Sequence, residues 1–337
     1  RILIILLWVV TINSSIIKKV FKKIKEYPEI IIARHVGPDP DAIASTIALR
    51  DSIRLTFPEK EVYAVGLGVS KFKYYGILDK IDNEQYKNVL LIVLDVPNLN
   101  RVDGIEGLEY KEIMKIDHHP AEDIKGPVDW TDETSCSTCQ MIAELILNTP
   151  LKLDTKIASN LYLGIVSDSD RFLLSYTTNK TFQVVHDLIK ASKIDFVSLY
   201  NYLYDRSIDE VRFQGYIAMN MVVTENGLGY IVIPSDIIKE YHVDLATPAN
   251  LINSFNFIRD VLVWTFITED VKNKVYKVSI RSHGPVINEA ASHYHGGGHK
   301  YASGARITSL EEIDAFIKEL DDLCEEYKRA SISNIEL

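Results

Sequence analysis

Short apolar segments that alternate with helical segments constrain the fold of this chain most. The series begins with EIIIARH and continues with EVYAVGL, VLLIVLD and EIMKID. Between them, apolar residues recur with the spacing of amphipathic helices. Parallel strands need a crossover connection, which is usually a helix. We therefore predict an α/β fold whose first part is a parallel sheet with helices on both faces.

The helical spacing places the helices of the first part over residues 14–26, 42–56, 138–148 and 154–166, with a short one near 70–80. From about Gly215 the pattern changes to strands with alternating polarity, NGLGYIVI, DVLVWTFITED and VYKVSIRS, and to helices over 236–241 and 309–330. This change favours a second, smaller α/β domain with a mixed sheet.

The length of 337 residues favours two domains. We predict an apolar N-terminal extension (1–13), a first domain (14–190), a semi-rigid linker (191–212) and a second domain (213–337). The extension begins RILIILLWVVTI, which is shorter than the roughly 20 residues that span a bilayer. It is either an upstream extension or extra strand, or an anchor that touches a membrane surface.

Charge and cysteine content restrict the partners and the compartment. The chain has 37 Lys and Arg against 47 Asp and Glu, a formal charge of −10. Such a balance disfavours binding to long nucleic acid, which depends on many contacts from Lys and Arg to phosphate. Three cysteines cannot form a disulfide framework, so we expect a cytoplasmic protein. We interpret Cys136 and Cys139 as small residues at a helix start.

Acidic and imidazole side chains follow the predicted strands. HVGPDPDAIAS (35–45) ends the first strand, Asp95 ends VLLIVLD, IDHHP (116–120) ends EIMKID, and GIVSDSDRF (164–172) ends a later segment. Ligands of parallel α/β sheets bind beyond the carboxyl ends of the strands. Each of these residues alone would more often be a helix cap or a loop residue. Their joint occurrence favours two divalent ions that share a bridging carboxylate.

These four segments resemble the successive motifs of the DHH phosphoesterase superfamily. The segment VSIRSHGPVINEAASHYHGGGHKYASGA (278–305) resembles the glycine-rich signature of the DHH-associated C-terminal domain. Within the superfamily, the chain is similar to the nanoRNase type, which combines oligoribonuclease activity with the removal of the 3′-phosphate from 3′-phosphoadenosine 5′-phosphate. The resemblance implies a catalytic first domain and a substrate-binding second domain.

The resemblance also implies a set of metal ligands. One ion would be held by His35, Asp39 and Asp95, and the other by Asp41, Asp95, His118 and Asp168. Mixed carboxylate and imidazole ligands suit Mn²⁺, which we expect first, with Co²⁺, Mg²⁺ or Fe²⁺ as alternatives. Asp95 would be catalytic as the bridging ligand.

Two further residues of the DHH motif receive roles from the resemblance. Asp117 would orient His118 through the second ring nitrogen of that histidine, since a ligating imidazole usually has such a partner. His119 would be catalytic and would face the substrate phosphate as a hydrogen-bond donor or general acid.

Substrate contacts are expected mainly in the second domain. Backbone N–H groups at Gly297 and Gly298 could approach a phosphate, and His299 and Arg281 could add charge-assisted hydrogen bonds. Arg101, just past Asp95, could do the same from the first domain. A cleft between the domains would admit only short oligoribonucleotides or small 3′,5′-phosphonucleotides, and no long duplex. The family resemblance also suggests a homodimer.

The chain departs from the usual family sequence at several positions. Glycine is usual where Ser167 and Asp170 stand, so an extra carboxylate lies near Asp168. His283 stands where a second arginine is common, and Lys300 replaces a proline. Two other functions are left open. The protein could be a phosphodiesterase of linear or cyclic dinucleotides such as pApA and c-di-AMP, or a catalytically silent nucleotide-binding module.

Overall fold

The structure, a computed structural model, describes residues 15–120 and 126–333. The apolar extension 1–13 lies outside these ranges, so both interpretations of it stay predictions. The chain divides into two units between Asp205 and Arg206. Among the helices of the described ranges, none is long and apolar enough to cross a lipid bilayer.

The first unit is built on a parallel sheet of five strands. In chain order these are β1 (Glu29–Ala33), β2 (Glu61–Ala64), β3 (Val89–Leu94), β4 (Tyr110–Asp117) and β5 (Val128–Thr131). Their order in the sheet is β2-β1-β3-β4-β5, and every neighbouring pair is parallel. The predicted parallel sheet is confirmed. The strand order reverses between β1 and β3, and such a reversal opens a crevice at the carboxyl ends of the strands.

The helices of the first unit bury one face of this sheet. They are α1 (15–26), α2 (Pro40–Thr56), α3 (Thr138–Leu147), α4 (Thr155–Asp168), α5 (Asn179–Ser192) and α6 (Phe196–Tyr204). Apolar residues of all six join a core with alternate strand residues such as Ile30, Ile32 and Ile92. Apart from small shifts at their ends, the four long helices predicted from the sequence are confirmed.

The other face of the sheet has a smaller core. Ile31, Leu91 and Val93 point to this side, because successive strand residues alternate between faces. Loop residues such as Val96, Val102 and Ile105 cover them, and the short 3₁₀ turns Asn83–Gln85 and Leu99–Arg101 lie in the same loops. Among the described residues, the helical segments near this face are therefore single 3₁₀ turns, and the segment that follows β3 lies directly against the sheet.

Two elements differ from the sequence prediction. The short helix near 70–80 is wrong: only Ser70–Phe72 forms a 3₁₀ turn, in a segment interrupted by glycines. The segment 191–212 is mainly helical, because it contains α6 and the start of α7 (Ile208–Asn220). Asp195 and Ser207 cap these helices through their side chains, and such caps were not recognised in the sequence.

The second unit contains the predicted mixed sheet. Its strands are β6 (Val222–Val223), β7 (Leu228–Ile233), β8 (Val263–Asp270), β9 (Val275–Ser282), β10 (Gly297–His299) and β11 (Ala302–Ile307). Their order is β10-β11-β9-β8-β7-β6, in which only β7 and β8 pair in parallel among the described strands. After α7, the helices are α8 (Ser235–Glu240), α9 (Thr247–Leu251), α10 (Asn288–His293) and α11 (Leu310–Ser333). Separate cores on the two faces include α7 to α9 on one side, and α10 and α11 on the other.

Gly164 marks the closest approach between α4 and α3. A Cβ at this position would overlap Sγ of Cys139 and lie 3.1 Å from Oδ1 of Asp41. We expect Gly164→Ala to lower the free energy of unfolding by about 1–3 kcal/mol, because overpacking forces a backbone shift. Urea unfolding followed by circular dichroism measures this change.

Gly215 on α7 provides the matched control. A Cβ at this position would meet no other described atom within 4 Å. Gly215→Ala should therefore raise the free energy of unfolding by about 0.5–1 kcal/mol, the usual gain for a helical position. If Gly164→Ala behaved like Gly215→Ala, the close approach of the two helices would be disproved.

Candidate metal centre

The loop after β1 provides three of the predicted ligands. Asp39 is the N-cap of α2 and accepts a hydrogen bond from the backbone N–H of Ala42 at 2.9 Å. Asp41 lies in the first turn of the same helix and is buried. The Nδ1 atom of His35 contacts the carbonyl of Val36 at 3.0 Å, which leaves Nε2 to face the other side chains. This nitrogen lies 3.9 Å from Oδ2 of Asp39.

Asp95 lies between His35 and His118. It follows β3 and has a φ of 57°, which is uncommon for a residue other than glycine. One carboxylate oxygen, Oδ2, is 3.6 Å from Nε2 of His35, and the other, Oδ1, is 3.5 Å from Nε2 of His118. The left-handed backbone turns a fully buried carboxylate toward ligands from two different loops.

Asp168 approaches the site from a helix. The helix predicted over 154–166 continues to Asp168, the last residue of α4, so this carboxylate does not lie at the end of a strand. Its Oδ2 atom lies 3.4 Å from Nε2 of His118. This oxygen is buried and has no hydrogen-bond partner among the described residues. A buried acceptor without a donor fits the binding of a cation.

The amino end of α3 holds two of the carboxylates. Backbone N–H groups of Thr138 and Cys139 donate to the two oxygens of Asp41 at 2.8 and 2.9 Å. The hydroxyl of Thr138 donates to Oδ1 of Asp95 at 3.1 Å. The partial positive charge of a helix N-terminus stabilises such carboxylates. The sequence prediction did not assign Thr138 to the site. The sequence predicts a helix start there, and Ser137 is its N-cap, but neither signal indicates a contact with Asp41 or Asp95.

The two cysteines of this segment lie at the start of α3. Cys136 precedes α3 and Cys139 lies in its first turn, and both are buried free thiols. Their interpretation as small residues at a helix start is confirmed.

The predicted ligands converge into three overlapping groups. In each group, one donor atom per residue lies within 4.8 Å of the others; the groups are His35, Asp39 and Asp95, then Asp41, His118 and Asp168, then Asp95, His118 and His119. The first two groups contain all six predicted ligands. The donor set is oxygen and imidazole nitrogen, which suits divalent ions of the manganese and iron type.

The crowded carboxylates of the site repel one another, and their pKa values are shifted. Burial and the charge of Asp95 raise the pKa of Asp41 to about 7. Burial also raises the pKa of Asp168 well above its usual value, although His118 opposes the shift. For Asp95, burial acts in the same direction, but contacts with His118 and His35 hold its pKa well below the usual range. A bound cation would relieve this repulsion, so the residues fit a metal site.

Asp117 contacts His119, whereas the predicted partner was His118. Its Oδ1 atom lies 2.8 Å from Nδ1 of His119 and accepts a hydrogen bond from the backbone N–H of that residue at 3.1 Å. The expectation that Asp117 orients His118 is therefore wrong. The physical reason is local: an aspartate readily accepts from the N–H two residues ahead, and this turn brings the ring of residue 119 to the carboxylate.

The predicted substrate residues lie in both units. Arg101 ends the Leu99–Arg101 turn of the first unit, is exposed, and accepts at its carbonyl from the N–H of Val36 beside His35. In the second unit, Arg281 on β9 donates from Nε to Oδ1 of Asn253 at 2.9 Å.

The glycine run of the second unit is an edge strand. Gly297, Gly298 and His299 form β10, which is exposed and pairs with β11. Gly298 has a φ of 140°, and a Cβ there would lie 2.8 Å from Cα of Ser303. A side chain is therefore excluded at this position both by the backbone conformation and by the neighbouring strand.

The residues that depart from the usual family sequence contact neighbouring groups. Asp170 is buried, and its Oδ1 atom lies 2.9 Å from the guanidinium of Arg171. Its φ of 44° lies in the left-handed region, which agrees with glycine being usual at this position. In the second unit, Nε2 of His283 contacts the carbonyl of Asn256, and its ring packs 4.7 Å from that of Trp264.

The crevice at the carboxyl ends of the parallel strands is lined by carboxylates and imidazoles, and it defines an α/β protein with a candidate metal site. Residues 29–165 match the DHH family, N-terminal domain, and residues 237–326 match the DHHA1 domain. The chain is 37% identical over 313 residues to the bifunctional oligoribonuclease and PAP phosphatase NrnA of Bacillus subtilis, covering 92% of this chain and 99% of the relative. The chain belongs to the DHH family and carries the DHHA1 domain.

Other relatives agree with this membership. A probable bifunctional oligoribonuclease and PAP phosphatase NrnA of Streptococcus mutans is 35% identical over 306 residues, which cover 91% of this chain and 98% of the relative. The crystal structure of an exopolyphosphatase-related protein from Bacteroides fragilis matches with a TM-score of 0.80 and 22% identity, covering 94% of this chain and 97% of that one. The last likeness supports the fold.

The pKa of Asp41 makes the effect of metal depend on pH. A carboxyl group whose pKa is raised by folding stabilises the protein below its unfolded pKa, and this contribution is lost as pH rises through the folded value, about 7 for Asp41. We expect the metal-free protein to lose stability as pH rises from about 4 to about 7. The rise in Tm caused by Mn²⁺, measured by calorimetry, should grow over the same interval.

Asp41→Asn is the control for this pH dependence. It removes the titrating carboxyl group, so the Mn²⁺-induced rise in Tm should become smaller and flatter with pH. A rise in Tm that declined toward pH 8 in the unsubstituted protein would contradict the charge assignment.

Thr138→Val tests the support of Asp95 by α3. The substitution keeps the shape of the side chain and removes the hydroxyl that donates to Asp95. We expect the affinity for Mn²⁺, measured by isothermal titration calorimetry, to fall by about tenfold, the lower end for the loss of a partner to a metal ligand. Thr134→Val, at an exposed position of the preceding loop, should leave the affinity unchanged. Equal affinities in the two variants would show that the hydroxyl has no role.

Proposed function

We propose that this protein is a two-metal phosphoesterase that hydrolyses short oligoribonucleotides to mononucleotides and removes the 3′-phosphate of 3′-phosphoadenosine 5′-phosphate. The observation that carries the proposal is the convergence of all six predicted ligands around Asp95. It is supported by two relatives, at 37% and 35% identity, whose names give both activities.

The ligands divide naturally between two ions. His35, Asp39 and Asp95 would hold one, and Asp41, Asp95, His118 and Asp168 would hold the other, with Asp95 in common. Mn²⁺ is the ion we propose, because it accepts both carboxylate and imidazole ligands. Two such ions supply charge neutralisation at phosphate and increase the acidity of an attacking water.

The protein itself positions the reacting groups. The amino end of α3 and the hydroxyl of Thr138 hold Asp41 and Asp95 in place. Asp117 contacts Nδ1 of His119, and we propose that the other ring nitrogen, Nε2, faces the phosphate. From this position His119 can donate a hydrogen bond to the phosphate or a proton to the departing oxygen.

Short anionic substrates fit the charge of the chain. A formal charge of −10 disfavours long polymers, whereas a phosphate at a metal pair meets local positive charge. We propose Arg101 from the first unit, and Arg281, Gly297, Gly298 and His299 from the second, as substrate contacts. The three free, buried cysteines support a cytoplasmic setting. A homodimer stays a prediction.

Asp95→Asn tests the metal centre. Replacing the shared carboxylate should lower kcat for a dinucleotide with Mn²⁺ by at least about a thousandfold, because both cations lose a ligand and several kcal/mol of transition-state stabilisation is lost. Asp187→Asn, on the exposed side of α5, is the matched control and should retain full activity. Undiminished hydrolysis by Asp95→Asn would disprove the proposed centre.

A substrate series tests the specificity. Initial rates with Mn²⁺ are compared on 3′-phosphoadenosine 5′-phosphate, a dinucleotide, a pentanucleotide, a long RNA and cyclic di-AMP. We expect turnover of the first three and little of the last two. Preferred turnover of cyclic di-AMP would replace the proposal by a cyclic-dinucleotide phosphodiesterase, and binding without any turnover would favour a silent module.

A further inference from the structure

A fully buried lysine lies next to the DHH motif. Lys115 precedes Asp117 by two residues on β4, so the two side chains point to the same face of the sheet. Both residues are 0% exposed, and Nζ of Lys115 lies 3.3 Å from Oδ2 of Asp117. Neither of these two atoms makes a hydrogen bond to another described group. The ammonium and the carboxylate are therefore paired by charge.

The same carboxylate also contacts His119. Its second oxygen, Oδ1, contacts Nδ1 of His119 at 2.8 Å and accepts from the backbone N–H of that residue. Lys115, Asp117 and His119 thus form a chain of contacts in which one carboxylate joins an ammonium to an imidazole. The chain runs from the buried sheet to a ring whose side chain is 22% exposed.

A buried ion pair needs an explanation beyond stability. Removing two charges from water costs free energy that their attraction often fails to recover, so an apolar pair of similar volume would pack as well at this position. Fixing the direction of a third group is a better-attested use of such pairs, and His119 is the group that Asp117 contacts.

We propose that Lys115 is a positioning residue for phosphoester cleavage: its ammonium fixes the Asp117 carboxylate, which in turn aims Nε2 of His119 at the departing oxygen. The inference rests on the proposed function. In hydrolysis, a water oxygen bonds to phosphorus and the bond from phosphorus to the leaving ribose oxygen breaks. The leaving oxygen keeps the electron pair and takes a proton from Nε2. The water releases a proton to solvent, from which His119 regains one.

Two substrates with different leaving groups distinguish a positioning role of Lys115 from a purely structural one. A ribose oxygen needs a proton as it departs, whereas p-nitrophenolate leaves without one. We expect Lys115→Met to lower kcat for a dinucleotide by about 10–100-fold, the usual effect of losing a supporting partner. On the p-nitrophenyl ester of thymidine 5′-monophosphate, kcat should change little. Damage to folding or to metal binding would lower both rates equally.

Two reference variants keep the test decisive. Lys115→Met leaves Asp117 as a buried charge without its cation, so a double variant with Asp117→Asn, neutral at both positions, is measured beside it. If Lys115 acts through Asp117, the double variant is no slower than Asp117→Asn alone. Lys23→Met is the surface control: Nζ of Lys23 pairs with Glu112 near the start of the same strand at 2.9 Å, and its loss should change neither rate.

The outcomes distinguish this inference from the proposed function. Equal losses on the two substrates, full dinucleotide activity in Lys115→Met, or additive losses in the double variant would each overturn the positioning role while the phosphoesterase assignment stood. If the unsubstituted protein cleaved neither substrate with Mn²⁺, the proposed function would fall, and the role of Lys115 with it.

Discussion

The crowding of four carboxylates at one edge of a sheet is the constraint on which the first unit depends. Asp39, Asp41, Asp95 and Asp168 approach one another, and Asp41 and Asp95 are buried, so their like charges repel strongly. The protein offsets part of this cost with imidazoles and with the N–H groups of α3. The rest of the cost is what a divalent cation removes. Stability and metal binding are therefore properties of the same cluster.

The order of the strands brings the ligands of the site together. Because the sheet reverses direction between β1 and β3, the loops after these strands open away from each other and leave a crevice. His35 enters it from one side and Asp95 from the other. A left-handed residue at position 95 costs conformational free energy, and the surrounding contacts hold it in place. Rigid strands thus supply precision that flexible loops alone would lack.

Buried ion pairs stabilise the loops on both sides of the crevice. Arg34, fully buried, donates to Asp103 at 2.7 Å and to the carbonyl of Leu67 at 2.6 Å, which joins three loops at the carboxyl edge of the sheet. Lys115 and Asp117 form a second pair under the histidines. Such pairs add little to the free energy of unfolding, but they favour one conformation of the loops. Any other conformation would leave one charge of the pair buried without its partner. Both lie next to residues that the proposed reaction uses.

The sequence by itself determined the parallel sheet, the long helices and the residue types of the site. These follow from short-range periodicity and from the rule that the carboxyl ends of parallel strands share one edge. It did not identify β5, which is short and half polar. It also did not identify the helices within 191–212, which begin at side-chain caps in a segment whose composition is typical of a linker. Only the tertiary structure decided that Asp117 contacts His119, that Thr138 contacts Asp95, and that Lys115 pairs with Asp117. Contacts between residues far apart in the chain depend on packing and side-chain direction, and neither is encoded in local spacing.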